Sequence, residues 1–259
     1  KLLSRKTNLV NMKIFNNTII SKNYRGSALA IGNFDGMHKG HQKVFKYAKK
    51  FSKKKGIKFG VLTFTPLPVM FFNKKISNYT LVSEYQKFKL FKNHGVDFVI
   101  NIKFNKIFSQ ISAEGFVENI IHKKINPKLV FVSNNFKFGN RRRGDINLLK
   151  KFSKKCSFKL LKISPLNYQG KIISSTRIRK CLKNGRLDSA NTLLSRTWSI
   201  YGNVKKGKKI GRKLGYRTCN IRIKNYVLPK AGIYSVKVLI ENKKNISGGV
   251  AYLGSRPTF

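Results

Sequence analysis

Carboxylates are scarce in this sequence. Only eight of its 259 residues are Asp or Glu, against 56 Lys and Arg, which gives a formal net charge of +48. So few carboxylates argue against a metal hydrolase with acidic ligands, whereas the positive surplus alone would favour a nucleic-acid or anionic-membrane partner. The basic residues are scattered along the chain, however, and most are lysine. We attribute the charge to biased residue usage and expect no specific nucleic-acid partner.

Cysteines and long apolar runs are also lacking. The three cysteines, Cys156, Cys181 and Cys219, are widely spaced and form no C-x-x-C pair or zinc-site spacing, so we expect reduced, mostly buried thiols. The longest apolar runs are only a few residues, and the first residues show no secretory signal pattern. We therefore expect a cytoplasmic protein with no membrane partner.

The sequence does contain a regular alternation of short apolar runs and amphipathic segments. Strands are predicted at residues 27–31, 58–63, 97–102, 129–132 and 159–163. Helices are predicted at residues 40–55, 83–93, 112–122, 145–155, 174–183 and 186–194. This alternation predicts an α/β fold, a doubly wound parallel sheet with helices on both faces. Ligands bind such sheets at the carboxyl ends of the strands, so residues 33–40, 63–68 and 133–144 should converge on one cleft.

The pattern changes after Arg196. Helical periodicity disappears, and short segments of period two follow, as at residues 233–238. Such segments predict an antiparallel barrel or sandwich. We therefore expect two domains, residues 1–195 and residues 196–259.

The most informative motif lies between the first strand and the first helix. It reads Gly32-Asn33-Phe34-Asp35-Gly36-Met37-His38-Lys39-Gly40-His41. Glycines permit close backbone approach to a ligand, and a helix N-terminus offers free N–H groups and a positive dipole end to phosphate. Two imidazoles three residues apart could donate hydrogen bonds to charge that develops on a phosphate during transfer. The candidate catalytic residues are His38 and His41, and the candidate ATP-binding residues of this motif are Gly32, Asn33, Phe34, Asp35, Gly36 and Gly40.

Two other interpretations of this motif stay open. One histidine could simply cap the helix or pack in the core. The two histidines could also bind zinc, although no third ligand is evident in the sequence.

A second helix start carries hydroxyls and guanidinium groups, in the run Ser174-Ser175-Thr176-Arg177-Ile178-Arg179. Taken alone, this run is typical of an ordinary N-cap with solvated arginines. Together with the first motif, it predicts the second half of a triphosphate site. The candidate ATP-binding residues here are Ser174, Ser175, Thr176, Arg177 and Arg179.

These motifs resemble those of the H-x-G-H nucleotidylyltransferases, and more narrowly those of the bacterial bifunctional riboflavin kinase/FAD synthetases. Five segments match that family in order, and the resemblance covers nearly the whole chain beyond the first two dozen residues. The segments are residues 33–41, Thr63-Phe64-Thr65-Pro66-Leu67-Pro68, residues 132–139, Arg143-Gly144-Asp145, and residues 173–179.

The resemblance implies that AMP is transferred from ATP to FMN, giving FAD and pyrophosphate, with Mg²⁺ bridging the phosphates. It implies that His38 and His41 bind the ATP phosphates and stabilise the transition state. It also implies that Asn135, Phe136 and Phe138 hold the flavin, although plain core packing could account for one of the two phenylalanines. Departures from the family pattern are Leu67 in place of a common histidine and Ser133 in place of a glycine.

Residues 202–220 resemble the start of a riboflavin kinase domain. There Thr218 and Asn220 would bind Mg-ATP, with Thr218 as a Mg²⁺ ligand, but Arg217 replaces the family's proline. The sequence given stops at Phe259, where the family expects more of the barrel and its catalytic glutamate, and Glu241 is the sole acidic residue after Arg196. We therefore expect the chain as given to lack riboflavin kinase activity, which the intact gene product would have.

Three alternatives to FAD synthesis remain at this point. One is another H-x-G-H nucleotidylyltransferase, acting on pantetheine phosphate or nicotinamide mononucleotide. The second is a basic RNA-binding protein, which only the charge favours. The third is a degraded or partial copy that binds flavin without turnover. The oligomeric state is not specified by any pattern in the sequence.

Overall fold

A six-stranded, all-parallel sheet forms the centre of the structure, a computed structural model that describes residues 12–205, 218–240 and 245–254. The strands are β1 (Lys13–Phe15), β2 (Ala28–Ile31), β3 (Phe59–Thr65), β4 (Phe98–Lys103), β5 (Leu129–Ser133) and β6 (Lys159–Ile163). Their order across the sheet is β1-β4-β3-β2-β5-β6. The predicted parallel sheet is confirmed. Strand β1 was not predicted, because three residues are too few to show a period.

Helices connect the strands close to the predicted positions. They are α1 (Lys39–Lys54), α2 (Pro68–Phe72), α3 (Glu84–Asn93), α4 (Lys106–Ser109), α5 (Ala113–Gly115), α6 (Ile146–Lys155), α7 (Ser175–Lys183) and α8 (Leu187–Leu194). Helix α5 continues as π-helical turns over Phe116–Ile125, so the helix predicted at residues 112–122 is longer and more loosely wound than expected. Short polar side chains start five of these helices: Ser83 forms a capping box with Gln86 at α3, and α4, α5, α6 and α7 are capped by Asn105, Ser112, Asp145 and Ser174.

Both faces of the sheet are buried. Leu29 of β2 packs in one apolar cluster with Ile121 of the π-helical segment, whereas Ala30 packs in another with Phe45 of α1. Successive strand residues point to opposite faces, so a strand covered on both sides must be apolar throughout, as β2 is.

The sheet reverses its winding direction between β2 and β5. From β2 the chain proceeds through β3 to β4, and it then returns to pair β5 with the other edge of β2. In open α/β sheets, ligands bind at the carboxyl ends of the strands at such a reversal. The loops that follow β2 and β5 both start at this edge of the sheet, and they contain the first of the two predicted nucleotide-binding motifs and the predicted flavin-binding residues.

The region after α8 is antiparallel, as predicted. Strands β9 (Val204–Lys205) and β10 (Asn220–Ile221) form one pair, and β11 (Gly232–Leu239) and β12 (Ile246–Leu253) form another. Within the described ranges these are separate two-stranded ladders, so the antiparallel character is observed and a closed barrel is not. Val227 of this region packs in a third apolar cluster with Leu81 and Leu194. The predictions for Arg217 and Glu241 lie outside the described residues.

The hairpin of β7 (Asn167–Tyr168) and β8 (Lys171–Ile172) precedes α7. No helix in the described part of the chain is long and apolar enough to cross a membrane. Cys156 and Cys181 are buried and Cys219 is exposed, and all three are free thiols.

Candidate active site

The turn from β2 into the start of α1, residues 32–41, has an unusual backbone; we call it the H-x-G-H corner. Gly36 has φ 82°, and Phe34 and Met37 also have positive φ, at 48° and 41°. A Cβ atom on Gly36 would lie 2.6 Å from Cδ1 of Leu81, so both the backbone conformation and the space require glycine. Left-handed conformations cost a residue other than glycine about 1–3 kcal/mol each, and such residues cluster at functional sites. The side chains of Phe34 and Met37 are both buried, and their packing in the core holds the two residues in this conformation.

The two histidines of the motif stack at the start of α1. Their ring centroids are 3.6 Å apart and the ring planes differ by 22°. His38 is the N-cap of α1, and its Nδ1 accepts a hydrogen bond from the backbone N–H of His41 at 3.4 Å. Gly40 lies under the His38 ring, since a Cβ there would be 3.1 Å from ring atoms. Nδ1 of His41 is buried and has no hydrogen-bond partner among the described residues.

Both imidazoles are neutral at pH 7. Burial lowers the pKa of His38 to about 4, and the positive charges of Arg179 and Arg196 act in the same direction. Burial also lowers the pKa of His41 well below its usual value, assisted by His38 and Arg179. Because Nδ1 of His38 accepts a hydrogen bond, the proton of the neutral ring lies on Nε2. His38 is therefore an uncharged N–H donor.

Asp35 and Arg179, both predicted to bind ATP, form an ion pair with each other. Oδ2 of Asp35 lies 2.5 Å from Nη2 of Arg179, and both residues are buried. The carboxylate also accepts the N–H of Leu81 at 3.0 Å, and the guanidinium donates to the carbonyl of Tyr79 at 2.8 Å and stacks on its ring. Burial raises the pKa of Asp35, and the charge of Arg179 opposes that shift. The pair joins the H-x-G-H corner to α7.

The start of α7 lies beside the H-x-G-H corner. The Ser175 hydroxyl donates to the carbonyl of Asp35 at 2.8 Å, and Ser174 caps the helix by accepting the N–H of Arg177. Thr176 is exposed. The Arg177 guanidinium donates to two carbonyls of the β7–β8 hairpin, at 2.8 Å each. The structure thus brings the two predicted phosphate-binding helix starts together.

A cavity of about 510 Å³ opens beside α7 and does not include the histidine pair. Hydroxyl and basic side chains line much of it, among them Ser174, Thr176, Arg177, Lys180 and Arg186.

The predicted flavin-binding residues follow β5, at the same end of the sheet. Asn135 is exposed, and its Oδ1 accepts a hydrogen bond from the hydroxyl of Ser133 at 2.9 Å. The rings of Phe136 and Phe138 stack with centroids 5.4 Å apart. Phe138 is buried against Phe116 and belongs to the core, whereas Phe136 is only partly buried. Asn135 and Phe136 are therefore the more accessible of the three.

The remaining motif residues are dispersed. Gly32 and Asn33 start the H-x-G-H corner, with the Asn33 side chain exposed and its carbonyl accepting the hydroxyl of Thr63. In the second region Thr218 is exposed, and Asn220 lies in β10 opposite Lys205. The described residues contain no group of three or more His, Cys, Asp or Glu side chains that could hold a metal ion.

Three residues that support the site were missed by sequence reasoning. Arg196 donates to the carbonyl of Gly36 at 2.7 Å, and Gln42 donates to that of Met37 at 2.8 Å. Lys87 of α3 is buried, and its ammonium lies 3.3 Å from the Thr63 hydroxyl. None of the three belongs to a recognisable local motif, and a buried lysine cannot be distinguished by sequence among so many exposed ones.

The parallel sheet, its reversal beside the H-x-G-H corner, and the paired helix starts together define a nucleotidylyltransferase-type α/β protein. Comparison with known proteins narrows the class. The sequence model for FAD synthetase matches residues 20–177, and that for riboflavin kinase matches residues 194–259. The chain belongs to the family of bifunctional riboflavin kinase/FMN adenylyltransferases.

Individual relatives carry that same name. The one from Buchnera aphidicola of Schizaphis graminum is 42% identical over 90% of this chain and 75% of its own length. The one from Haemophilus influenzae is 35% identical, over 90% of this chain and 76% of its own length, and the one from Escherichia coli K12 is 32% identical, over 90% and 74%. A solved Streptococcus pneumoniae structure described as a macrolide-efflux protein superposes with a TM-score of 0.79 at 25% identity, covering 96% of this chain and 81% of that chain.

Proposed function

We propose that this chain makes FAD by transferring AMP from ATP to FMN at the H-x-G-H corner. The observation that carries the proposal is the stacked pair of neutral imidazoles at the start of α1, His38 buried and His41 partly buried, beside the start of α7. Family membership supports the choice of FMN as the acceptor, because the named relatives are FMN adenylyltransferases.

The reaction is a single in-line displacement. A phosphate oxygen of FMN attacks the α-phosphorus of ATP, a new P–O bond forms, and the bond to the β-phosphate oxygen breaks, releasing pyrophosphate. The attacking phosphate is already ionised, so no general base is needed. Positioning and charge stabilisation supply the rate enhancement, as in phosphoryl transfer generally.

The H-x-G-H corner would bind the phosphates mainly with neutral N–H donors. The proton on Nε2 of His38 and the free backbone N–H groups at the start of α1 would point at the phosphate oxygens. Because the imidazoles carry no charge in the free site, they need not be desolvated as cations when ATP enters. The α7 start would supply the Thr176 hydroxyl and further N–H groups. Asp35 and Arg179 would not contact the phosphates; their ion pair would hold the H-x-G-H corner against α7.

Magnesium would enter as part of the MgATP substrate. The carboxylate nearest the motif, Asp35, is engaged by Arg179 and the Leu81 amide, so the phosphates themselves would supply most of the oxygen ligands. The flavin would lie against the loop after β5, with the amide of Asn135 and the ring of Phe136 as its contacts.

The test is an HPLC assay of FAD formed from FMN and MgATP. His38→Asn keeps a side chain that can cap α1 but removes the imidazole donor, and we expect the rate to fall by about 10²–10³-fold. His41→Ala should cause a loss of similar size. The matched control is His94→Gln, since His94 ends α3 and contacts the Leu90 carbonyl outside the H-x-G-H corner. Equal FAD formation by wild type and all variants would remove the histidines from the mechanism.

For the second region we propose a riboflavin kinase barrel that begins near residue 196, so that residues 1–195 form the adenylyltransferase domain. Thr218 and Asn220 would contact MgATP there, with Thr218 as a Mg²⁺ ligand. In a protein that carries the whole kinase barrel, Thr218→Ala and Asn220→Ala should suppress FMN formation from riboflavin and leave FAD formation from supplied FMN unchanged. We place the protein in the cytoplasm, which supplies ATP and flavins and keeps its three thiols reduced.

A further inference from the structure

We propose that Arg196 is a positioning residue for adenylyl transfer, holding the H-x-G-H corner in the shape that aims His38. This inference rests on the proposed function. Arg196 is half-buried, and its guanidinium donates to the carbonyls of Gly36 at 2.7 Å, Met37 at 3.3 Å and Leu194 at 3.3 Å. It therefore ties the end of α8 to two consecutive peptide groups of the corner.

Those two peptide groups immediately precede His38. Both belong to residues in the left-handed region, Gly36 at φ 82° and Met37 at φ 41°. A backbone in such a conformation persists only when its surroundings determine it. Rotating either peptide group would move the His38 ring, and an error of about 1 Å in the position of a reacting group can reduce a rate about 10²-fold. The hydrogen bonds from Arg196 to the carbonyls of Gly36 and Met37 therefore fix the orientation of these two peptide groups.

Gln42 completes the same connection. Its Nε2 donates to the carbonyls of Met37 at 2.8 Å and Leu194 at 3.0 Å, and its Oε1 accepts the hydroxyl of Ser195 at 2.9 Å. The carbonyl of Met37 thus keeps a donor when Arg196 is removed. Among these contacts, the carbonyl of Gly36 receives a donor from Arg196 alone. The Gly36 peptide group should therefore respond most strongly to substitution of Arg196.

Arg196 and the H-x-G-H corner that it contacts belong to different matched regions of the chain. Residue 196 lies beyond the FAD synthetase match at residues 20–177 and inside the riboflavin kinase match at residues 194–259. Trp198 extends the contact, because its Nε1 donates at 2.9 Å to the carbonyl of Leu81, whose N–H binds Asp35. The segment that opens the kinase match would therefore support the adenylyltransferase site.

The experiment uses the full 259-residue chain with Arg196→Met, Arg196→Lys and, as the matched control, Arg222→Met, which removes an exposed arginine of the same region. FAD formation is measured over a range of ATP and FMN concentrations. We expect Arg196→Met to lower kcat about tenfold or more while the KM for ATP changes by less than about threefold, because positioning acts on the transition state. Arg196→Lys, which can still reach one carbonyl, should recover part of the loss.

Histidine NMR supplies a readout independent of turnover. The chain has four histidines, so a sample labelled with ¹³C at histidine Cε1 alone gives four ring signals. We expect Arg196→Met to shift the signals of His38 and His41 and to leave those of His94 and His122 in place.

Wild-type kcat together with unmoved His38 and His41 signals would overturn the inference. Displacement of all four signals with a large fall in Tm would also overturn it, because the role would then be general stability. A wild-type chain that makes no FAD would instead refute the proposed function, and the NMR comparison would still decide the role of Arg196.

Discussion

Removing the guanidinium of Arg179 should destabilise the protein by about 3–5 kcal/mol, the usual cost of leaving one partner of a buried ion pair without the other. In Arg179→Met the apolar stem remains, but the Asp35 carboxylate keeps only the Leu81 N–H as a hydrogen-bond partner within the described contacts. The side chain of Asp35 is 5% exposed, so water cannot replace the lost donor.

Urea unfolding followed by tryptophan fluorescence measures this loss. The chain has one tryptophan, and the indole of Trp198 donates to the carbonyl of Leu81, the residue whose N–H binds Asp35. With a typical urea m-value of about 2 kcal/mol per M, the midpoint should fall by roughly 2 M. The control Lys180→Met changes an exposed residue next to Arg179 and should shift unfolding by less than about 0.5 kcal/mol.

A second substitution tests the cause of the loss. Asp35→Asn in the Arg179→Met background removes the uncompensated charge and should restore part of the stability. Protonation should have a similar effect: without Arg179 the pKa of Asp35 rises further above its unfolded value, so destabilisation should be smallest at acid pH and grow as pH rises. A midpoint shift below about 0.3 M at pH 8, or no recovery in the double variant, would refute the assigned role of the pair.

Three further outcomes are expected. In urea unfolding, Gly36→Ala should lower the free energy of unfolding by about 2 kcal/mol more than Gly170→Ala does, because of steric overlap. Both glycines have positive φ, but of the two only Gly36 has a close neighbour, Leu81, which an added Cβ would meet. Because the pKa of His38 is lowered to about 4, the neutral His38 ring should contribute its full share of folding stability above pH 6.5. This contribution should fall by about 3 kcal/mol as the pH drops towards 4. The difference between the pH profiles of wild type and His38→Gln measures it. Cys219 should react fastest of the three thiols with a disulfide reagent, and peptide mapping would identify it.

The sheet and its helices could be predicted from periodicity because each element shows its own pattern. The buried strands β2 and β5 are continuously apolar, and Ser83, Asp145 and Ser174 mark helix starts at the positions where they cap. The H-x-G-H corner could also be located, since strand, glycines and helix adjoin in sequence.

The partners of charged residues could not be predicted in the same way. Asp35 and Arg179 both looked like ligand contacts, but they are 144 residues apart, and only the fold shows that they bind each other. Arg196 carries no local signal at all, because its hydrogen bonds run to two backbone carbonyls far away in the sequence, at residues 36 and 37. Whether the motif residues bind nucleotide and flavin as proposed stays a prediction.

The long separations of these contacts also bear on how the protein is made. The H-x-G-H corner leaves the ribosome early, before the residues that bind it have been synthesised. Arg179, the partner of Asp35, follows it by 144 residues, and Arg196, the partner of Gly36, follows it by 160. Local helices can form during synthesis, whereas a loop fixed by such distant partners must close a very large chain segment first. A nascent chain that has not yet exposed residue 196 would therefore hold the motif without its supports, and ATP recognition should emerge only late in translation.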